Sequence, residues 1–228
     1  MSEAATATHY VRPDSILRYT FQERVMHWVT ALAYTYCLAT GLAFYTPYLF
    51  WIAVVLGGGP TSRFLHPIIG LGFVAAAVWM HTVWRRDMEF TETDKRWLDR
   101  VNNYATNQDE LLPPQERFNA GQKLFYWLMY YGALLLLLSG IFLWFPEYIS
   151  FRIAWVRSVM VLIHEIAALL TIGGFIVHIY MGLFLVPGSM TAMTVGYVPR
   201  AWARTHHRLW YIRATGGDSP RENEVKPG

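Results

Sequence analysis

Two histidines in one long apolar segment are the first residues whose type and spacing suggest chemistry. His164 and His178 stand fourteen positions apart in the stretch 161–182, which otherwise holds almost only apolar residues. In an α-helix, fourteen residues rise about 21 Å and turn through about 1400°, which is within about 40° of whole turns. The two imidazoles are therefore expected on one helix face at two depths. Imidazole is a common ligand of iron, so this spacing suggests two metal sites along one helix.

Four long apolar blocks supply the helices that must position such side chains. The chain is 54% hydrophobic and 15% charged, whereas soluble chains carry about 25% charged residues. A nearly uncharged apolar stretch of about 18 residues or more is a candidate transmembrane helix. The blocks predict an all-α integral membrane protein with a four-transmembrane-helix bundle over residues 25–186. The predicted spans are about 25–46, 64–84, 124–145 and 159–186. They lie between an N-terminal segment at 1–24 and a basic C-terminal segment at 187–228, whose tail after Tyr211 is predicted to be disordered.

Basic residues set the expected orientation of these spans. Of the 19 lysines and arginines, only Arg63, Arg152 and Arg157 lie between spans one and two or between spans three and four. Positive residues favour the cytoplasmic side, so both termini and the middle loop of a multi-pass membrane protein are expected in the cytoplasm. Basic flanks of this kind suit anionic lipid headgroups rather than nucleic acid.

On this topology, each of the two depths receives a second histidine from another helix. His66 reaches the outer depth together with His164, and His27 reaches the inner depth together with His178. Ionisable residues inside a membrane are costly and usually face the interior of a bundle. Two imidazoles on facing helices can hold one haem iron from both sides. The sequence therefore predicts two haems stacked across the bilayer.

The remaining histidines and the single cysteine give weaker indications of a metal or cofactor site. Cys37 is the only cysteine, which excludes an internal disulfide and an iron–sulfur cluster held by this chain alone. His81 could compete for the inner site, but it is expected to pack beside the neighbouring tryptophans of span two. His206 and His207 are expected to be solvated, or to contact lipid headgroups or a partner.

Five motifs, taken together, resemble those of a known family. They are FQERVMHW (21–28), RFLHPIIG (63–70), FNAGQKLFYW (118–127), VLIHEIAALL with FIVHIYMG (161–182) and WARTHHRLWY (202–211). The set is similar to the membrane-anchor (gamma) subunits of respiratory formate dehydrogenases, which are dihaem cytochromes b. The similarity runs from about Arg18 to Tyr211. Anchors of related hydrogenases and thiosulfate reductases share the general design but not this set of motifs.

The resemblance implies the same two pairs of axial ligands. His66 and His164 match the outer-haem ligands, and His27 and His178 match the inner-haem ligands. Glu165 departs from the pattern, because a small apolar residue is expected after the outer ligand. It is expected to pair with an arginine of the outer loop, or alternatively to tune the outer haem.

The resemblance also implies a quinone site near the inner haem. Asn119, Gly121 and His178 match the residues that contact the quinone, and Gln122 and Lys123 adjoin them in the NAGQK motif. An asparagine side chain can donate or accept a hydrogen bond at a quinone oxygen.

The expected function follows from the resemblance. Electrons from an iron–sulfur (beta) subunit would pass through two haem b groups, each with two histidine ligands, to menaquinone or ubiquinone. The chain has no ligand set for molybdenum or tungsten, so formate oxidation is expected on a catalytic (alpha) subunit, and a larger oligomer of the heterotrimer is left open. The alternatives are an anchor of a hydrogenase or thiosulfate reductase, and a histidine-lined membrane transporter, which would show no visible chromophore.

Overall fold

The computed structural model describes residues 11–217 except 13, 107, 109 and 110, and only the backbone of residues 11 and 12. The strands in this part of the chain are β1 (Val11–Arg12), β2 (Ser15–Leu17) and β3 (Tyr197–Pro199). The long helices are α1 (Phe21–Tyr45), α3 (Gly59–Trp84), α6 (Ala120–Trp144) and α7 (Trp155–Tyr180), the last continued by a π-helical turn at Met181–Leu185. The short helices are α2 (Phe50–Val55), α4 (Glu92–Leu98), α5 (Val101–Ala105), α8 (Ser189–Val195), α9 (Arg200–His206) and α10 (Arg208–Thr215).

Three of the long helices are long and apolar enough to cross a membrane, namely α3, α6 and α7 with its π-helical turn. Helix α1 is not among them, although its 25 residues would extend about 37 Å. Its apolar residues are interrupted by three tyrosines and three threonines. The transmembrane character of the chain is confirmed, and the fourth span stays a prediction.

Each long helix begins four or five residues before the apolar block that predicted it. Most of the added residues are polar or small, as in the starts FQER of α1, GPTSR of α3 and AGQK of α6. An apolar block marks only the part of a helix that faces an apolar environment, so the helix itself can extend past it.

The C-terminal tail also differs from the prediction. Residues 212–215, predicted to be disordered, belong to α10, while residues from 218 onward lie outside the described part.

The chain divides into two compact units. Residues 25–85 and 125–179 form the first, which we call the helical unit. The described parts of 1–24, 86–124 and 180–228 form the second, which we call the flanking unit.

The four long helices share one apolar core within the helical unit. Tyr34 of α1, Phe73 and Ala77 of α3 and Ala133 of α6 are buried together, and Phe175 of α7 packs against them. The Tyr34 ring lies 5.4 Å from the Phe73 ring and 5.1 Å from the Phe175 ring, measured between centroids. Aromatic pairs at this spacing contribute about 0.5–1.5 kcal/mol each beyond the area that they bury.

The flanking unit contains a three-stranded antiparallel sheet in the order β1-β2-β3. Ile16 pairs with Val198, and both side chains are almost fully buried. Gly196, directly before β3, allows β2 and β3 to pair closely. Its carbonyl accepts from the backbone N–H groups of Arg18 and Tyr19, its φ is +95°, and an added Cβ would lie 2.7 Å from the Tyr19 carbonyl oxygen. The sheet corrects the all-α prediction in this part of the chain.

Candidate functional site

The outer histidine pair joins helices α3 and α7 of the helical unit. The ring centroids of His66 and His164 are 6.4 Å apart, and both side chains are partly buried. Nδ1 of His66 lies 2.7 Å from Oγ1 of Thr40 on α1, and Nδ1 of His164 lies 2.9 Å from Oγ of Ser139 on α6. Because Nδ1 is engaged in both rings, Nε2 is the nitrogen left to bind a metal.

The inner histidine pair joins helices α1 and α7. The ring centroids of His27 and His178 are 6.1 Å apart. Phe125 of α6 stacks on His178 with centroids 4.4 Å apart and planes only 4° from parallel. Nδ1 of His27 is buried and has no hydrogen-bond partner among the described residues. The inner pair is thus held by ring packing rather than by hydroxyl groups.

Both pairs fit the spacing of two axial ligands on one iron. With imidazole–metal bonds of about 2 Å, two rings on opposite sides of one metal ion have centroids roughly 6 Å apart. Within the described residues, no cluster of three or more His, Cys, Asp or Glu side chains could hold a bare metal ion. Two imidazoles form a sufficient protein ligand set where a macrocycle supplies the other donors, as in haem. The predicted ligands therefore fit haem.

His81 packs against aromatic rings of α6. Its Nδ1 lies 2.6 Å from Oη of Tyr126, and its ring stacks on Tyr130 with centroids 4.3 Å apart. His81 therefore has a packing role against α6, whereas the prediction named the tryptophans of its own helix as its neighbours.

Glu165 follows His164 on α7 and is partly buried. In the part of the chain that the structure describes, it forms no ion pair with Arg152 or Arg157. The expected pairing is therefore wrong, and a tuning role at the outer site stays a prediction.

The NAGQK motif begins helix α6 with a reciprocal cap in the flanking unit. The backbone N–H of Gln122 donates to Oδ1 of Asn119 at 2.9 Å, and the backbone N–H of Asn119 donates to Oε1 of Gln122 at 3.0 Å. This is a capping box, which satisfies two free N–H groups at a helix start. Each side-chain carbonyl oxygen thereby accepts one hydrogen bond within the cap, and the amide nitrogens can donate to a ligand.

Gly121 and Lys123 pack the same helix start against α4. A Cβ on Gly121 would lie 3.2 Å from the Trp97 ring. Nζ of Lys123 donates to Oδ2 of Asp94 at 2.7 Å and to the Glu89 carbonyl at 2.8 Å, and the Lys123 and Asp94 side chains are each 2% exposed. The Lys123 ammonium is therefore engaged within the protein, which gives it a structural role at this motif.

A buried arginine, Arg18, contacts several aromatic rings of the flanking unit. The Arg18 guanidinium lies 5.0–6.0 Å from the ring centroids of four aromatic residues, Tyr19, Phe118, Trp202 and Trp210. Cation–π contacts of this kind favour a desolvated guanidinium. Burial lowers the pKa of Arg18, but arginine keeps its charge at any physiological pH.

His207 binds Arg18 and corrects the prediction of a solvated histidine. Its side chain is almost fully buried, Nε2 lies 3.0 Å from Nη2 of Arg18, and Nδ1 lies 2.6 Å from the Glu116 carbonyl oxygen. Because a guanidinium can only donate, Nε2 must accept, and Nδ1 must carry the proton that it donates to the carbonyl. Burial, and next the charge of Arg18, lower the pKa of His207 well below its ordinary value. His207 is therefore a neutral ring of fixed tautomer.

Arg117 ties the middle segment to the N-terminal segment. Its Nη2 donates to Oε1 of Glu23 and to the Arg18 carbonyl, both at 2.7 Å, and its Nη1 donates to Oδ2 of Asp87 at 3.1 Å. In return, Nη2 of Arg18 donates to the Arg117 carbonyl at 2.7 Å. Burial acts to lower the pKa of Arg117, but the charges of Glu23 and Asp87 outweigh it and raise the pKa.

The comparison with known protein families fits this histidine geometry. The family described as prokaryotic cytochrome b561 matches residues 18–196 of the chain.

The chain belongs to the prokaryotic cytochrome b561 family.

Named relatives of this cytochrome b561 chain are subunits of formate dehydrogenases. It is 34% identical over 207 residues to the formate dehydrogenase cytochrome b556(fdo) subunit of Escherichia coli K12, covering 88% of this chain and 93% of that protein. It is 28% identical over 209 residues to the nitrate-inducible cytochrome b556(Fdn) subunit of the same organism, covering 92% and 96%. It is 29% identical over 199 residues to the cytochrome b556 subunit of Haemophilus influenzae Rd, covering 86% and 82%. Membership in a cytochrome b family implies that the chain binds haem b.

Three residues at the histidine pairs were missed from the sequence. Thr40 and Ser139 contact the outer pair, and Phe125 contacts the inner pair. A signal for the two hydroxyls was present, because each stands near the outer end of a predicted span that supplies no outer histidine. Phe125 carries no such signal, since it is one of several aromatic residues in the stretch 125–131.

Proposed function

We propose that the chain is the cytochrome b membrane-anchor subunit of a respiratory formate dehydrogenase. One observation carries the proposal: two histidine pairs, with centroids 6.4 and 6.1 Å apart, lie in a cytochrome b chain whose relatives are formate dehydrogenase subunits. His66 with His164, and His27 with His178, are the residues that would hold two haem b groups. Haem held by two histidines transfers single electrons and leaves no iron position open to a substrate.

The proposed electron acceptor is a membrane quinone, menaquinone or ubiquinone. The amide nitrogens of Asn119 and Gln122 are the donors that the capping box leaves available, and a quinone carbonyl is an acceptor. Gly121 allows the helix start to approach Trp97, and the backbone of this first turn adds N–H groups with partial positive charge. His178 is proposed to serve the quinone as well as the inner haem.

Asn119→Asp tests the quinone proposal without removing the helix cap. An aspartate oxygen can still accept from the Gln122 N–H, but the side chain no longer has an N–H donor. Loss of one neutral hydrogen bond corresponds to about 1 kcal/mol, so the KM for quinone should rise roughly fivefold in the purified complex. Haem reduction by formate should keep its rate. An unchanged KM, or slower haem reduction by formate, would contradict the assignment.

The proposed partners are an iron–sulfur subunit and, through it, a molybdenum or tungsten catalytic subunit. Affinity purification of the tagged chain from its native membrane should recover both, and formate should reduce the haem of that complex. If hydrogen reduces the haem, or thiosulfate oxidises the reduced haem, and formate has no effect, the chain anchors a different oxidoreductase. A purified chain with no visible chromophore would favour the transporter alternative.

The proposed location is a bacterial inner membrane, with both termini in the cytoplasm. The support is the scarcity of basic residues in the two predicted outer loops, which hold only Arg63, Arg152 and Arg157. Alkaline phosphatase fused after residue 228 should be inactive, and the same enzyme inserted in the loop near Arg63 should be active. The opposite pattern would invert the topology.

A further inference from the structure

Each ring of the outer histidine pair has a buried hydroxyl group on its Nδ1 atom. Thr40 and Ser139 are both fully buried, and they come from two helices, α1 and α6, that supply no outer histidine. Neither contact is part of the ligand set that the proposed function requires.

The direction of these hydrogen bonds follows from the single proton of each hydroxyl. Oγ1 of Thr40 donates to the Tyr36 carbonyl at 2.8 Å, and Oγ of Ser139 donates to the Leu135 carbonyl at 2.7 Å. With its proton used, each hydroxyl oxygen can only accept from the imidazole. Nδ1 of each outer ring is therefore the protonated nitrogen, and Nε2 keeps its lone pair for a metal.

The inner pair lacks this arrangement. Nδ1 of His27 is buried without a partner, and the His178 ring makes no hydrogen bond among the described residues, where its neighbour is the stacked ring of Phe125. The two proposed sites thus have the same pair of histidine ligands but differ in the hydrogen-bond partners of the Nδ1 atoms.

We propose that Thr40 and Ser139 are positioning residues that fix the tautomer of the outer ligands and lower the reduction potential of the outer haem. The inference rests on the proposed haem sites. A hydrogen bond donated from the far nitrogen of a metal-bound imidazole makes that ligand more basic. A more basic ligand favours the ferric iron over the ferrous iron, so removal of the acceptor should raise the potential. A haem bound here would supply one-electron chemistry, and Nδ1 of each outer histidine would keep its proton in both oxidation states.

The test is a redox titration of the full chain, loaded with haem in detergent and followed by visible absorbance. Thr40→Val and Ser139→Ala remove the hydroxyls with little change of shape. At a fixed potential, each should raise the ratio of reduced to oxidised haem in one of two components by up to about tenfold, which is about 59 mV for a one-electron couple. The component that shifts should be the one lost in His66→Ala.

Three further variants separate this effect from damage to the fold. Thr171→Val removes a hydroxyl that is equally buried in the same unit but donates to the Ala168 carbonyl, and it should move neither component. Thr40→Ser and Ser139→Thr keep a hydroxyl and should restore the original potential. If Thr40→Val loses its haem, Ser139→Ala and the two hydroxyl-retaining variants still decide the question.

Failure of this inference can be distinguished from failure of the proposed function. Two components in the unsubstituted chain, with no shift or with equal shifts of both in Ser139→Ala, would overturn this inference alone. Absence of haem from the unsubstituted chain would overturn the proposed function.

Discussion

The buried ion pair between Lys123 and Asp94 gives the sharpest prediction for the flanking unit. Each side chain is 2% exposed, and Nζ lies 2.7 Å from Oδ2. Lys123→Met keeps most of the volume and removes the charge. Asp94 then stays buried with only its bonds from the N–H and hydroxyl of Thr91. Removing one partner of a buried pair leaves an uncompensated charge, which costs about 3–5 kcal/mol.

The same substitution at Lys95 is the matched control. Nζ of Lys95 lies 2.6 Å from Oε1 of Glu92, but these side chains are 69% and 80% exposed. Exposed pairs contribute at most about 1 kcal/mol. The two lysines therefore have similar bond lengths and very different expected effects.

The assay is thermal unfolding of the detergent-solubilised protein, followed by tryptophan fluorescence. For a chain of this size, 1 kcal/mol shifts the midpoint by about 2–4 °C, so Lys123→Met should lower it by roughly 10 °C and Lys95→Met by less than about 3 °C. Adding Asp94→Asn to Lys123→Met should recover part of the loss, because no buried charge is left unpaired. Equal midpoints for the two lysine variants would refute the reasoning.

Two further predictions use the same assay in the two units. Stability should fall as the pH drops below about 6.5, because the unfolded chain takes up a proton that His207 does not bind in the folded protein while its Nε2 accepts from Arg18. His207→Gln should weaken this pH dependence without abolishing it, because other partly buried histidines remain, and an unchanged pH dependence would contradict the tautomer assignment. In the helical unit, Gly132→Ala should cost about 1–3 kcal/mol, because its Cβ would lie 2.4 Å from Cγ2 of Thr171, whereas Gly72→Ala, with nothing within 4 Å, should be neutral or slightly stabilising. Similar midpoints for the two glycine variants would show that the helices adjust freely.

The parts of the fold that sequence could predict are those set by local composition. Apolar blocks indicated the long helices, and the fourteen-residue spacing placed His164 and His178 on one face of α7. The structure brings each of them to about 6 Å from the histidine with which it was paired, His66 or His27.

The parts that sequence missed depend on contacts between distant segments. The sheet joins residues 11–17 to residues 197–199 through strands of only two or three residues, which are too short to show an alternating pattern. His207 stands in the polar run RTHHR and looks solvated. Its burial requires Arg18 from the other end of the chain and the Glu116 carbonyl from the middle segment.

We propose that this chain holds two haem b groups, one at each of its histidine pairs. The most direct measurement is the haem content of the purified full chain, with its reduced-minus-oxidised visible spectrum, for the unsubstituted protein and for His66→Ala and His27→Ala. The account predicts two haems per chain in the unsubstituted protein and one in each variant, with a different component lost in each. A single haem in the unsubstituted protein, or two haems retained in either variant, would contradict it.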